Sequence, residues 1–75
     1  MRIRREKRRK GKIVTVVAGL DPSASDLNAM LRQLKSACAA GGTVTEGILE
    51  IQGDHTKRVT AFLEDMGYPV KQSGG

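Results

Sequence analysis

The 75-residue chain contains one cysteine, one histidine, two prolines, no tryptophan, one tyrosine and one phenylalanine. A lone Cys38 excludes an internal disulfide and any cysteine-based metal cluster. It also makes a reducing cytoplasm the simplest setting. With only Phe62 and Tyr68 as aromatic residues, the chain lacks the stacked platform on which single-strand binders lay successive bases. No stretch approaches the roughly 18 consecutive apolar residues of a spanning helix, so no membrane role is expected. The basic start is not followed by a long apolar run and a small-residue cleavage site, so it does not read as a secretory signal. Neither Gly-x-x-x-x-Gly-Lys-Ser/Thr nor Gly-x-Gly-x-x-Gly occurs.

Chemistry-bearing side chains are equally sparse. His55 has no second histidine and no cysteine beside it for a metal, and no companions for a hydrolase triad, so it reads as a surface residue at a helix start. Cys38 reads as a small apolar residue near a helix end, and Asp54 as a helix N-cap. No carboxylate pair stands out for acid–base work. The expectation is a protein that is not an enzyme and carries no cofactor and no metal.

What the chain does have is charge, unevenly placed. The net charge is +5. Residues 1–12 hold eight basic residues and one acid (Glu6), a local +7, while residues 13–75 hold five basic and seven acidic residues, a local −2. The excess therefore sits at one end of the chain. Clustered Lys and Arg release counterions from nucleic acid, a term that dominates affinity for phosphate backbones. The same run also fits a solubilising tail or a localisation signal.

The elements follow from pattern. Residues 2–7 are either a basic arm or a charged edge strand. Arg8-Arg9-Lys10-Gly11 then reads as a turn. Residues 13–18 are a β-branched strand, apolar on both parities and stopped by Gly19. Ser23 and Ser25 are candidate N-caps for a first helix, with Asp26 in its first turn. Leu27, Met30, Leu31 and Leu34 form its apolar stripe, and Gly41-Gly42 its stop. Thr43–Thr45 and Ile48–Gln52 make a hairpin turning at Glu46-Gly47, with Leu49 and Ile51 on one face. Val59, Phe62, Leu63 and Met66 stripe a second helix capped by Asp54 and ended by Gly67. Residues 68–71 can add a last edge strand, and 72–75 should fray. The order β-β-α-β-β-α-β predicts an α+β fold: a two-layer sandwich with both helices on one face of a mixed sheet. The chain reads as a single small domain.

Four segments in order carry a resemblance: Arg9-Lys10-Gly11-Lys12, Val17-Ala18-Gly19-Leu20-Asp21, Gly41-Gly42-Thr43-Val44, and Gly47-Ile48-Leu49-Glu50-Ile51-Gln52-Gly53-Asp54. Together they resemble the translation initiation factor one family, eukaryotic factor one and its bacterial YciH-type relatives. Thr56 stands where that family often has Arg, and Ala40 where bacterial relatives commonly have Cys. The resemblance implies binding to small ribosomal subunit RNA near the decoding and initiator tRNA site, with an influence on initiation fidelity or rate. It implies RNA contacts by Arg8, Arg9, Lys10, Gly11 and Lys12 in the hairpin loop and by Arg32 and Lys35 on the first helix. It places Gly41, Gly42 and Thr43 in a loop near the tRNA. Initiator tRNA and other initiation factors are the further implied partners of a cytoplasmic monomer. The alternative from the residues alone is a protein-interaction module whose basic edge or exposed sheet face docks an acidic protein.

Overall fold

Arg2–Lys7 (β1) and Ile13–Ala18 (β2) pair antiparallel without interruption, from Arg2↔Ala18 to Lys7↔Ile13. The computed structural model describes residues 1–20 and 26–72. The first six-residue strand is therefore part of the sheet and not a free arm, and Ile3 is its anchor. As the sole apolar residue in a charged segment, it lies 1% exposed in the core. Helix Leu27–Cys38 (α1) follows, then the hairpin of Gly42–Thr45 (β3) and Ile48–Gln52 (β4), helix Thr56–Asp65 (α2), and Lys71–Gln72 (β5). The strands form one sheet in the order β3-β4-β2-β1-β5. All pairs are antiparallel except β1 with β5, which are parallel. This is the expected α+β sandwich with a mixed sheet.

Alternation along the strands assigns the two faces. Ile3, Val17, Leu49 and Val44 are aligned across β1, β2, β4 and β3 by the register. They meet Met30, Leu34 and Cys38 of α1 and Val59 and Leu63 of α2 in a single core. Both helices thus cover the same face. β2 is apolar on both parities because it is central: Val17 is buried under the helices, and Val16, on the opposite face, is also only 1% exposed.

Helix boundaries differ from the expected ones for identifiable reasons. The α1 N-cap is Asp26, whose carboxylate accepts from the Ala29 N–H at 3.1 Å. Aspartate is as good a cap as serine, and this one sits directly before the apolar stripe. Ser23 and Ser25 lie outside the described residues. At the other end the chain turns at Ala39, in the left-handed region at φ 51°, two residues before the expected glycine stop. The α2 N-cap position is His55, which makes no side-chain cap bond. Asp54 acts one residue earlier, accepting from the Thr56 N–H at 3.5 Å and from its hydroxyl at 3.2 Å. Gly67 does end α2. Its N–H donates to Glu64 O and that of Tyr68 to Leu63 O, with Gly67 at φ +92°.

Two further expectations are corrected. Met66 lies beyond the last turn of α2 and is 47% exposed, so it leaves the core stripe. The last strand comprises Lys71 and Gln72 alone, and Gln72 pairs with Ile3 where fraying was expected. Pro69 lies outside it, consistent with the donor that a ladder needs and proline lacks.

Candidate nucleic-acid interface

Beyond the Lys7↔Ile13 pair the first hairpin projects as a five-residue loop, 8–12. The Arg8 N–H donates to Lys12 O at 2.6 Å, and the Lys12 N–H returns to Arg9 O at 3.3 Å. Between them Lys10 (φ 61°) and Gly11 (φ +72°) both take the left-handed conformation. Two consecutive residues of this kind match the twist of the flanking strands and make a tight, defined turn. Glycine adopts that conformation freely, whereas lysine does so at a cost. Arg9, Lys10 and Lys12 are exposed and have no ion pair among the described residues. The loop thus offers three free cations on a constrained tip.

The topology brings more positive charge to the same end of the molecule. The Gly53 N–H donates to Ile13 O at 2.7 Å, and the Gln52 N–H to Gly41 O at 2.8 Å, so the end of β4 and the start of β3 lie beside the base of the hairpin. Arg58 donates from Nη1 to Ala37 O at 3.3 Å, which ties the first turn of α2 to the last turn of α1. Lys57 and Arg58 therefore start α2 at this end, and no acidic residue accompanies them in the first turn. Two cations at a helix N-terminus oppose the helix dipole. That local mismatch is their signal in the sequence.

A buried hydroxyl holds this corner together. Thr15 is fully buried, and its Oγ1 donates to Gly53 O at 2.7 Å while accepting from the His55 N–H at 2.8 Å. One side chain on the central strand therefore fixes the turn that starts α2. Its signal in the sequence is a lone hydroxyl within an otherwise aliphatic run. Beside it Arg5 Nη1 meets Asp54 Oδ2 at 3.2 Å. That bond, followed by the Thr56 N–H, holds the Asp54 carboxyl below its ordinary value.

Arg8 stands apart from the other loop cations. Its Nη2 lies 2.9 Å from Glu50 Oε2 and 3.1 Å from Glu6 Oε1, so the guanidinium turns back over the sheet. The Glu50 hydrogen bond raises the Arg8 pKa. Glu6 also accepts from Arg4 Nε at 2.9 Å. This contact comes first in holding the Glu6 carboxyl below its usual value.

The other expected contact residues are spread out. Arg32 and Lys35 are exposed, and Lys35 lies in the last turn of α1. No hydrogen bond or ion pair joins either to the loop among the described residues. Gly42 and Thr43 belong to strand β3, with Gly41 just before it, so the segment that the resemblance places in a loop is mostly sheet, and the strand expected from Thr43 starts one residue earlier. The double glycine answers a packing demand. A Cβ on Gly42 would lie 2.9 Å from Ile51 Cδ1 and 3.2 Å from Leu31 Cδ1. Thr43 is the exposed residue of the three that keeps a side chain to present. Among the described residues no group of three or more His, Cys, Asp or Glu side chains is placed to hold a metal ion. No helix there is long and apolar enough to cross a membrane.

The sequence matches a family model described as translation initiation factor SUI1 over residues 1–69. Curated relatives agree. A protein translation factor SUI1 homolog of Thermoplasma volcanium is 52% identical over 66 residues, 87% of this chain and 66% of the relative. An uncharacterized protein of Synechocystis is also 52% identical, over 67 residues, 89% of this chain and 60% of the relative. A SUI1 homolog of Sulfurisphaera tokodaii is 51% identical over 69 residues, 92% and 69% respectively. The chain thus spans 60–66% of the length of the first two relatives.

Proposed function

The chain belongs to the translation initiation factor SUI1 family, and on that premise we propose that it binds small ribosomal subunit RNA through its hairpin tip. The family is one of initiation factors and not of enzymes. In this reading Arg9, Lys10 and Lys12 contact phosphates and Gly11 lets the backbone approach them. Lys35 and Arg32 give a secondary contact along α1. Thr43 faces initiator tRNA from β3. The protein acts in the cytoplasm as one small domain, by occupancy near the decoding site. Wrongly assembled initiation complexes clash with it, and correct ones do not. Discrimination is then a difference of affinities supplied by a steric element.

The observation that carries this reading is the tip itself: three exposed cations without carboxylate partners among the described residues, set on a turn that holds a lysine in the left-handed region. A stability-driven turn would have asparagine there.

Co-sedimentation with purified small subunits over about 50–200 mM salt tests it. Three phosphate contacts give a log–log slope of about −2 to −3 by counterion release. The double variant Lys10→Glu/Lys12→Glu should weaken binding at least tenfold while circular dichroism stays unchanged. Binding that is indifferent to salt, or survival of binding in the double variant, overturns the reading.

A further inference from the structure

We propose that Glu50 is a positioning residue for the hairpin tip, acting through Arg8, and that Arg8 is a strut and not a phosphate contact. The inference rests on the RNA-binding reading for its consequence, though not for its geometry.

Arg8 sits at the base of the loop, and its guanidinium reaches carboxylates on two different strands, Glu6 on β1 and Glu50 on β4. β2 lies between those strands, opposite Glu6 at Val14 and opposite Glu50 at Val16. The Arg8 side chain therefore crosses β2 on the face away from the helices. Val16 records this cover: it lies on the open face of the sheet yet is 1% exposed. Its cross-strand neighbours there are Arg4 and Glu50, whose charged ends both belong to the ion-pair chain through Glu6 and Arg8.

Charge accounting separates this group from the tip. Arg4, Glu6, Arg8 and Glu50 form a chain of ion pairs with two charges of each sign. That chain is neutral and offers nothing to a polyanion. If Arg8 served phosphate, a carboxylate on each side of it would be counterproductive. As a strut the arrangement is sensible. A two-stranded hairpin is joined to its own turn only by the ladder, whereas Arg8 ties the base of the loop to a third strand. Exposed ion pairs contribute little to global stability, so the consequence lies in the direction in which Lys10 and Lys12 project.

Glu50→Gln provides a test in which the two accounts have opposite signs. The substitution is nearly isosteric and raises the net charge by one, so attraction by charge alone predicts tighter RNA binding. Positioning predicts binding to small subunits weakened about three- to tenfold, with the salt slope unchanged. Arg8→Gln should behave like Glu50→Gln, and the double variant should be no worse than either single one, because both remove the same strut. Lys10→Gln, by contrast, should reduce the magnitude of the slope by about 0.7–0.9. Tighter or unaltered binding in Glu50→Gln, or a slope loss in Arg8→Gln equal to that of Lys10→Gln, overturns the proposal. Residual dipolar couplings of the Lys10 and Gly11 amides in the free protein provide a readout without RNA. A fixed tip orientation in the native chain that is lost in Glu50→Gln supports the strut, and couplings identical in both overturn it. If the native protein fails to bind small subunits, the proposed function falls while the couplings still decide the strut.

Discussion

Gly42 and Glu50 approach so closely across the β3–β4 pair that a methyl group on Gly42 would lie 2.5 Å from the Glu50 carbonyl oxygen. Gly42→Ala must therefore displace β3 from β4 or α1 from the sheet, at a cost of about 2 kcal/mol in urea denaturation. Gly41→Ala meets only the Gln52 side chain, at 3.5 Å, and should change stability by less than about 0.5 kcal/mol. Equal effects at the two positions would contradict the packing account of the double glycine.

Thr15→Val should cost about 1–3 kcal/mol, because it leaves Gly53 O and the His55 N–H without their partner at a position where the Thr15 side chain is fully buried. Thr15→Ser keeps both bonds and should lose only about 1 kcal/mol, the methyl's burial. Hydrogen exchange at the His55 amide checks the assignment, with faster exchange expected in the valine variant alone.

Lys10→Asn should separate stability from binding. Asparagine tolerates the left-handed conformation that Lys10 occupies, so the variant should gain about 0.5–1 kcal/mol in thermal or urea unfolding. The same substitution should weaken small-subunit binding several-fold by removing a tip cation. A variant that loses both, or gains both, would show that the turn is not where function and stability compete.

Acid should loosen the molecule through two carboxylates. Glu6 is held low chiefly by Arg4, and Asp54 chiefly by Arg5. A group with a depressed folded-state pKa contributes stability above its unfolded value and loses it as pH falls through the folded one. Because both pairs are exposed, the effect is small: stability should be level from pH 7 to about 5 and decline slightly below about pH 4. Glu6→Gln/Asp54→Asn should flatten that decline in pH-resolved unfolding curves. Cys38 shifts the other way: burial pushes its thiol up, against the opposing charge of Arg58. Alkylation at pH 8 should accordingly be slow in the native protein and fast once it is unfolded.

Much of this architecture was legible locally. The stripes Met30–Leu34 and Val59–Leu63, the Glu46-Gly47 turn and the Gly67 stop are each written within a few residues, and all four stand in the structure. The misplacements occurred where two good candidates compete over a short distance. Asp26 outbids the serines before it as a cap, and Ala39 turns the chain before the glycines are reached. The tip cations were readable from composition, but their division into free and bound was not. Glu50, which claims Arg8, lies 42 residues away in sequence and is brought within reach only by the β2–β4 pairing. Lys57 and Arg58 joined the basic end for the same reason, a tertiary one.

The parallel pairing of β1 with β5 sets the order in which the molecule can assemble. Each antiparallel hairpin closes over a short loop, so both can form early. The last strand must return to Arg2 and Ile3 from residues 71 and 72, nearly the whole length of the described chain. Contacts of such sequence separation carry the largest loop-closure entropy and form late. During synthesis the basic hairpin emerges well before residues 71 and 72, and its β5-facing edge must wait for them to leave the exit tunnel.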